Sequence, residues 1–175
     1  LHVDENATNM GTFFKTMASP TGTLTLIASE KGLRAVLWNY DPKQSSIDSG
    51  VEDPNHPVLL EAEKQLNEYF AKKRKTFSLE LDFVGSDFQI QVWKAMLTIP
   101  FGETRSYGDI ARQIGNPDSV RAVGGAANKN PLPIIAPCHR VVGANGKLVG
   151  FGGGLENKAL LLDMEASYRQ TSLFD

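Results

Sequence analysis

The sequence predicts an α/β N-terminal domain with a mostly antiparallel sheet, followed by a mainly helical C-terminal domain containing a helix-turn-helix. Three observations predict it. Between Phe13 and Trp38 apolar and polar residues alternate on either side of the Glu30-Lys31-Gly32 turn, the period of a strand. Beyond Val84-Gly85 the apolar spacing lengthens to three and four residues, through Phe88, Val92, Ala95, Met96 and Ile99, the period of a helix. Two short helical patterns then flank Gly115-Asn116-Pro117-Asp118, as in a helix-turn-helix. The expected division is a leader or expression remnant over 1–9, an N-terminal domain over 10–84 and a C-terminal domain over 85–175.

Taken in order, Pro20-Thr21-Gly22 turns the chain into Thr23-Leu24-Thr25-Leu26, and Leu33–Trp38 supplies its partner strand. Residues 41–57 are rich in Pro, Ser, Asp and Gly and predict a loop. Pro57 opens a helix through about Lys73, with Val58, Ala62, Leu66, Tyr69 and Phe70 at helical spacing. Phe77–Phe83 alternates and predicts a returning strand. Ser86-Asp87-Phe88-Gln89 is a capping box for the next helix, which Pro100-Phe101-Gly102 stops. Ser106-Tyr107-Gly108-Asp109 opens another, with Ile110 and Ile114 inward and Gly115 at its C-terminus. Asp118 or Ser119 can cap a further helix over Val120–Asn128. Asn130-Pro131-Leu132-Pro133-Ile134 predicts an extended strap, and Leu155–Glu165 a closing helix with Leu155, Ala159, Leu162 and Leu161 inward.

Composition excludes several functions. Hydrophobic residues at 41% and charged residues at 22% describe an ordinary globular chain. No apolar run approaches the ~18 residues of a membrane span, and no secretory signal is visible, so an intracellular location is expected, cytoplasmic, or nuclear in a eukaryote. A net charge of −2 argues against polybasic binding, yet Ser119–Leu155 carries Arg121, Lys129, Arg140 and Lys147 with no Asp or Glu. That local bias suits an anionic partner. The glycines between Gly143 and Gly154 lack the Gly-Lys-Ser/Thr ending of a phosphate loop, which excludes nucleotide hydrolysis.

Cys138 is the only cysteine, so it can make neither an internal disulfide nor a multi-thiolate metal site. Pro137 precedes it, and His139 and Arg140 follow. Positive neighbours favour the thiolate, which is the nucleophile. The helix before it, Val120-Arg121-Ala122-Val123-Gly124-Gly125-Ala126-Ala127, has almost no bulk except Arg121. Each mid-helix glycine costs about 1 kcal/mol relative to alanine, so a pair implies that another surface approaches the backbone. That surface is either a neighbouring helix or a nucleic-acid groove.

From Asn130 to Val142 the chain, Asn-Pro-Leu-Pro-Ile-Ile-Ala-Pro-Cys-His-Arg-Val-Val, resembles the active-site motif of the O-6-alkylguanine-DNA alkyltransferases. Ser106-Tyr107, Gly115-Asn116-Pro117, Arg121-Ala122-Val123-Gly124 and Gly153-Gly154-Leu155 to Glu165 extend the likeness, and the N-terminal part resembles the family's ribonuclease-H-like domain. The resemblance implies a winged-helix-like C-terminal domain and irreversible transfer of an alkyl group from oxygen-6 of guanine, and from oxygen-4 of thymine, to Cys138 after base flipping. It implies a Glu165–His139–water–Cys138 relay, with Asn130 as a hinge and Tyr107 at the phosphate or the flipped base. Arg121 would fill the vacated stack, with Ser119, Ala122 and Gly124 facing DNA. Carbonyls of Cys138 and Val141 and the Gly152 amide would contact guanine, in a pocket shared with Phe151 and Gly153. The implied partner is double-stranded DNA bearing alkylated guanine, bound by a monomer with no cofactor, no metal, no membrane and no required protein partner. This chain has Phe151 where the family often has Tyr, Gly152 where some members have Ser, and Asn128 where some have a basic residue. The competing functions are a non-catalytic alkylated-DNA sensor or helix-turn-helix regulator, whose relatives lose the cysteine, and a Cys–His hydrolase.

Overall fold

The computed structural model describes residues 11–45, 47–146 and 153–174, and the chain divides into two units, Leu1–Phe83 and Val84–Asp175. In the first, β1 (Phe13–Met17), β2 (Leu24–Ser29), β3 (Gly32–Trp38) and β4 (Val51–Glu52) form one sheet in the order β3-β2-β1-β4. The β1–β2 and β2–β3 pairs are antiparallel. β4 runs parallel to β1, inside the stretch that composition assigns to a loop; two residues are too few to carry a period. β2 is buried along its whole length, so the alternation in Thr23–Leu26 does not mark a solvated face.

Helix α1 (Pro57–Phe70) packs on this sheet, burying Leu59, Ala62, Leu66 and Tyr69 along one stripe. Its Gln65 is buried too, and holds both the Ser78 amide and the Ser78 carbonyl. This helps explain why Phe77–Phe83 is not a strand, contrary to its alternation. The segment makes a single parallel bridge, Leu33 to Leu81, while Ser78 bonds the Gln65 side chain and the Asp82 carboxylate takes Ser29 and Arg34. At Ser78 side-chain partners stand in for a ladder, whereas Glu80 and Asp82 bond the Leu33 backbone on either side of that one bridge.

In the second unit, α2 (Asp87–Met96) starts from the predicted capping box, with Ser86 and Gln89 each bonding the other's backbone amide. α3 (Tyr107–Gln113) has the same device, made by Ser106 and Asp109. A 3-10 turn over Pro117–Ser119 leads into α4 (Val120–Asn128). Ser119 stands at the cap position without capping: its hydroxyl donates back to the Asn116 carbonyl. α2 and α3 both pack on α4, and buried Trp93 of α2 donates from Nε1 to the Ala126 carbonyl at 2.8 Å. Strands β5 (Arg105–Ser106) and β6 (Val141–Val142) pair in parallel, which ties the start of α3 to the chain just past Cys138. α5 (Leu155–Phe174) outruns the predicted helix. Leu155 is 48% exposed rather than inward; the buried positions are Lys158, Leu161 and Glu165, one face at i, i+3 and i+7. Among the described residues no helix is long and apolar enough to cross a membrane.

Candidate active site

The strap from Asn130 to Pro137 is a compact loop, not the extended run that its prolines predict. The Ala136 amide bonds the Leu132 carbonyl at 2.8 Å, and Asn130 closes the loop from the side. Its Nδ2 donates to the Ala136 carbonyl at 2.7 Å, and its Oδ1 accepts from the Leu132 amide at 3.0 Å. Ile134 sits inside with φ at 75°, a backbone region that a β-branched residue enters only under external constraint. Burial of Leu132, Ile134 and Ile135 supplies that constraint, and delivers a rigid turn to Cys138.

Cys138–Arg140 is itself a 3-10 turn, not a strand. His139 and Glu165 have no exposed surface, whereas Cys138 keeps 8%. Glu165 reaches the site from α5. Its Oε2 lies 2.6 Å from His139 Nε2 and 3.0 Å from Arg140 Nη2; its Oε1 accepts from Arg140 Nε at 2.9 Å and from the Gly102 amide at 3.2 Å. Burial alone would raise this carboxyl, but the hydrogen bond and charge of His139, then those of Arg140, hold it well below the ordinary carboxylate range. An ionised Glu165 only accepts, so Nε2 of His139 carries the proton and Nδ1 presents a lone pair. Nδ1 is buried and has no hydrogen-bond partner among the described residues. Burial, with Arg140 and Lys158 behind it, lowers the pKa of His139 against the pull of Glu165.

The cysteine differs from the expectation of a thiolate favoured by His139 and Arg140. Burial pushes its thiol up to about 11, while the Asn130 side chain and then the Lys158 charge pull the other way. Arg140 is turned onto Glu165, and its Nη1 bonds the Ile99 carbonyl at 2.8 Å. The cation that favours ionised sulfur is Lys158, fully buried, with Nζ on the Val141 carbonyl at 2.7 Å. Its seven-residue offset from Glu165 puts the two on one face of the helix, a signal masked by the ordinary preference of lysine for the surface. The Lys158 ammonium thus occupies one lone pair of the Val141 carbonyl.

Tyr107 opens α3, half-buried, with its phenol raised first by burial and then by negative charge on Cys138. It reaches α4 as well: a Cβ on Gly124 would touch Tyr107 Cδ1 at 4.0 Å, an ordinary contact, and one on Gly125 would meet nothing within 4 Å. Tight internal packing therefore does not explain the two glycines. Arg121 and Ala122 are exposed on the same helix and Ser119 is half-buried. Gly153 is half-buried, its carbonyl accepting from Asn157; Phe151 and Gly152, assigned to the base pocket, lie outside the described residues. Among the described residues no group of His, Cys, Asp or Glu could hold a metal ion. His139 is thus set to accept a proton at Nδ1 and to hold the resulting imidazolium against a fixed carboxylate.

Comparison with known proteins gives matches across nearly the whole chain. Residues 12–83 match the ribonuclease-like domain, and residues 87–167 the DNA binding domain, of 6-O-methylguanine DNA methyltransferase. The chain is 48% identical over 157 residues to a methylated-DNA–protein-cysteine methyltransferase of Mycobacterium bovis, covering 88% of this chain and 92% of that one. It is 47% identical to the protein of that name from Methanosarcina acetivorans, covering 89% and 99%. Among solved structures, Mycobacterium tuberculosis OGT in complex with DNA superposes with a TM-score of 0.82 at 48% identity, covering 89% of this chain and 94% of that one.

Proposed function

The chain belongs to the 6-O-methylguanine DNA methyltransferase family, and from that premise we infer that it repairs alkylated DNA by taking the alkyl group from oxygen-6 of guanine onto Cys138. One observation carries the assignment to these residues. The only cysteine adjoins a fully buried His139 whose Nε2 is committed to Glu165 and whose Nδ1 is left to accept a proton. The thiol proton passes through a water to Nδ1, and Glu165 stabilises the imidazolium. The sulfur attacks the alkyl carbon; the C–S bond forms as the C–O6 bond breaks, and the electron pair moves onto the guanine. Tyr107 stays protonated beside Cys138, so it can donate to the base as that charge develops. The thioether has no hydrolytic route back, which makes each molecule good for one transfer.

Access to the base requires extrusion, at a few kcal/mol. The bare face of α4, open at Gly125 and carrying exposed Arg121 and Ala122, fits a groove that excludes bulk, with Arg121 entering the vacated stack. The protein acts as a monomer on duplex DNA. Incubation with a duplex containing O6-methylguanine should add one methyl to the peptide carrying Cys138, read by mass spectrometry, and a parallel O4-methylthymine duplex sets the range of bases. An intact mass unchanged after long incubation with the guanine substrate would overturn the proposal.

A further inference from the structure

We propose that Arg140 is the positioning residue of this relay: it grips Glu165 by both oxygens and balances its charge, so that His139 rests as an uncharged proton acceptor. The proposal deepens the repair reading and rests on it. Arg140 is 6% exposed, so it adds little to a surface that attracts DNA. Its Nε and Nη2 address Glu165 Oε1 and Oε2 at 2.9 and 3.0 Å, Nη1 takes the Ile99 carbonyl at 2.8 Å, and the guanidinium carbon lies 5.5 Å from the Phe101 ring centroid. A planar fork held on three sides fixes the plane of the carboxylate, and with it the oxygen that meets His139 Nε2.

The charge argument is separate from the geometric one. A buried carboxylate paired with histidine alone would draw a proton onto the imidazole, and an imidazolium cannot accept another from Cys138. Among the described residues, the charged groups that act on His139 are Glu165 and Lys158 from α5 and Arg140 from its own turn, where Cys138 precedes it. With Arg140 neutralising Glu165, the neutral imidazole completes a balanced cluster, and Lys158 adds a second cation against protonation. The step served is a proton transfer only: the sulfur–hydrogen bond breaks, Nδ1 gains the proton through a water, and Nε2–H stays on Glu165.

The test reads His139 directly, so it is separable from alkyl transfer. Its titration is followed by NMR on imidazole-labelled protein, assigned against His139→Gln, in the wild type, Arg140→Met and Arg140→Lys. The expected result is a midpoint below about 6.5 in the wild type, raised by about one pH unit or more in Arg140→Met and unmoved in Arg140→Lys. The methyl-transfer rate of Arg140→Lys should still fall about tenfold, because a point charge cannot hold both oxygens. An unchanged midpoint in Arg140→Met, or a rise in Arg140→Lys equal to that in Arg140→Met, overturns the charge role. Should Arg140→Met not fold, Arg140→Lys decides alone: wild-type transfer speed overturns the positioning role. Absence of transfer by the wild-type protein overturns the repair reading instead, while the titration still reports on Arg140.

Discussion

At Glu165 a single side chain joins four groups: His139, both nitrogens of the Arg140 fork and the Gly102 amide. Removing one partner of a buried ionic cluster strands the others, at about 3–5 kcal/mol. Glu165→Gln should therefore lower the unfolding free energy by about 3 kcal/mol in urea at pH 7.5 and slow methyl transfer in the fraction that remains folded. A variant of wild-type stability would show that the cluster is not held together as described. Cys138 makes the opposite test. Its substitution by Ser removes the nucleophile and leaves the Glu165 bonds in place, so transfer should vanish while DNA affinity stays within about twofold. Residual methylation of Cys138→Ser at any other residue would reassign the acceptor. The cysteine could be picked out from sequence because it is alone and flanked by Pro137 and His139. Sequence order suggests Arg140 as a cation for sulfur because it gives no direction to a side chain in a turn, and it conceals Lys158 because a charge on a helix ordinarily faces solvent.

Helices whose ends carry a chemical signature were legible: the capping boxes at Ser86 and Ser106, Pro57 at the start of α1, and Gly115 with φ at 80° past the end of α3. Elements defined by tertiary partners were not. Phe77–Phe83 alternates like a strand yet is held by Gln65, Ser29 and Arg34, and the prolines between Asn130 and Pro137 bend into a loop that Asn130 closes. α4 stands between these cases, since its length was legible and the reason for its glycines was not. Open space at Gly125 makes a sharp prediction. Gly125→Ala should stabilise the free protein by up to about 1 kcal/mol through helix propensity, measured by denaturant unfolding, and weaken duplex binding if this face meets the groove. Gain of stability with undiminished DNA affinity would remove the groove from the explanation. Arg121→Ala complements it: transfer from duplex should fall far more than transfer from the free methylated base, and an equal loss on both would dispose of the extrusion role.

At the scale of the whole molecule, the two-unit division between Phe83 and Val84 follows the change of period near Val84-Gly85, and the chemistry described above falls within the second unit. Its buried ionic cluster also couples the stability of the fold to pH. Glu165 titrates well below its unfolded value, so its contribution is complete above about pH 4.3 and is lost as pH falls through the folded value. His139, lowered chiefly by burial, acts in the same direction: its contribution is present above about 6.5 and lost as acid forces a proton onto a ring that burial and two cations keep neutral. Asp82, lowered by Ser29 and Arg34 against its own burial, adds an acid-sensitive contact in the first unit. The melting temperature should therefore fall steadily on acidification from neutrality. Comparison with Glu165→Gln identifies the source, because glutamine removes the Glu165 term and leaves that of Asp82. The two melting curves should stay separated from pH 7.5 to 5 and converge only below about pH 4.3, where the unfolded wild-type chain begins to bind the proton that its folded form refuses. Convergence between pH 7 and 5 would place the titrating group elsewhere, and with it the anion that anchors the relay.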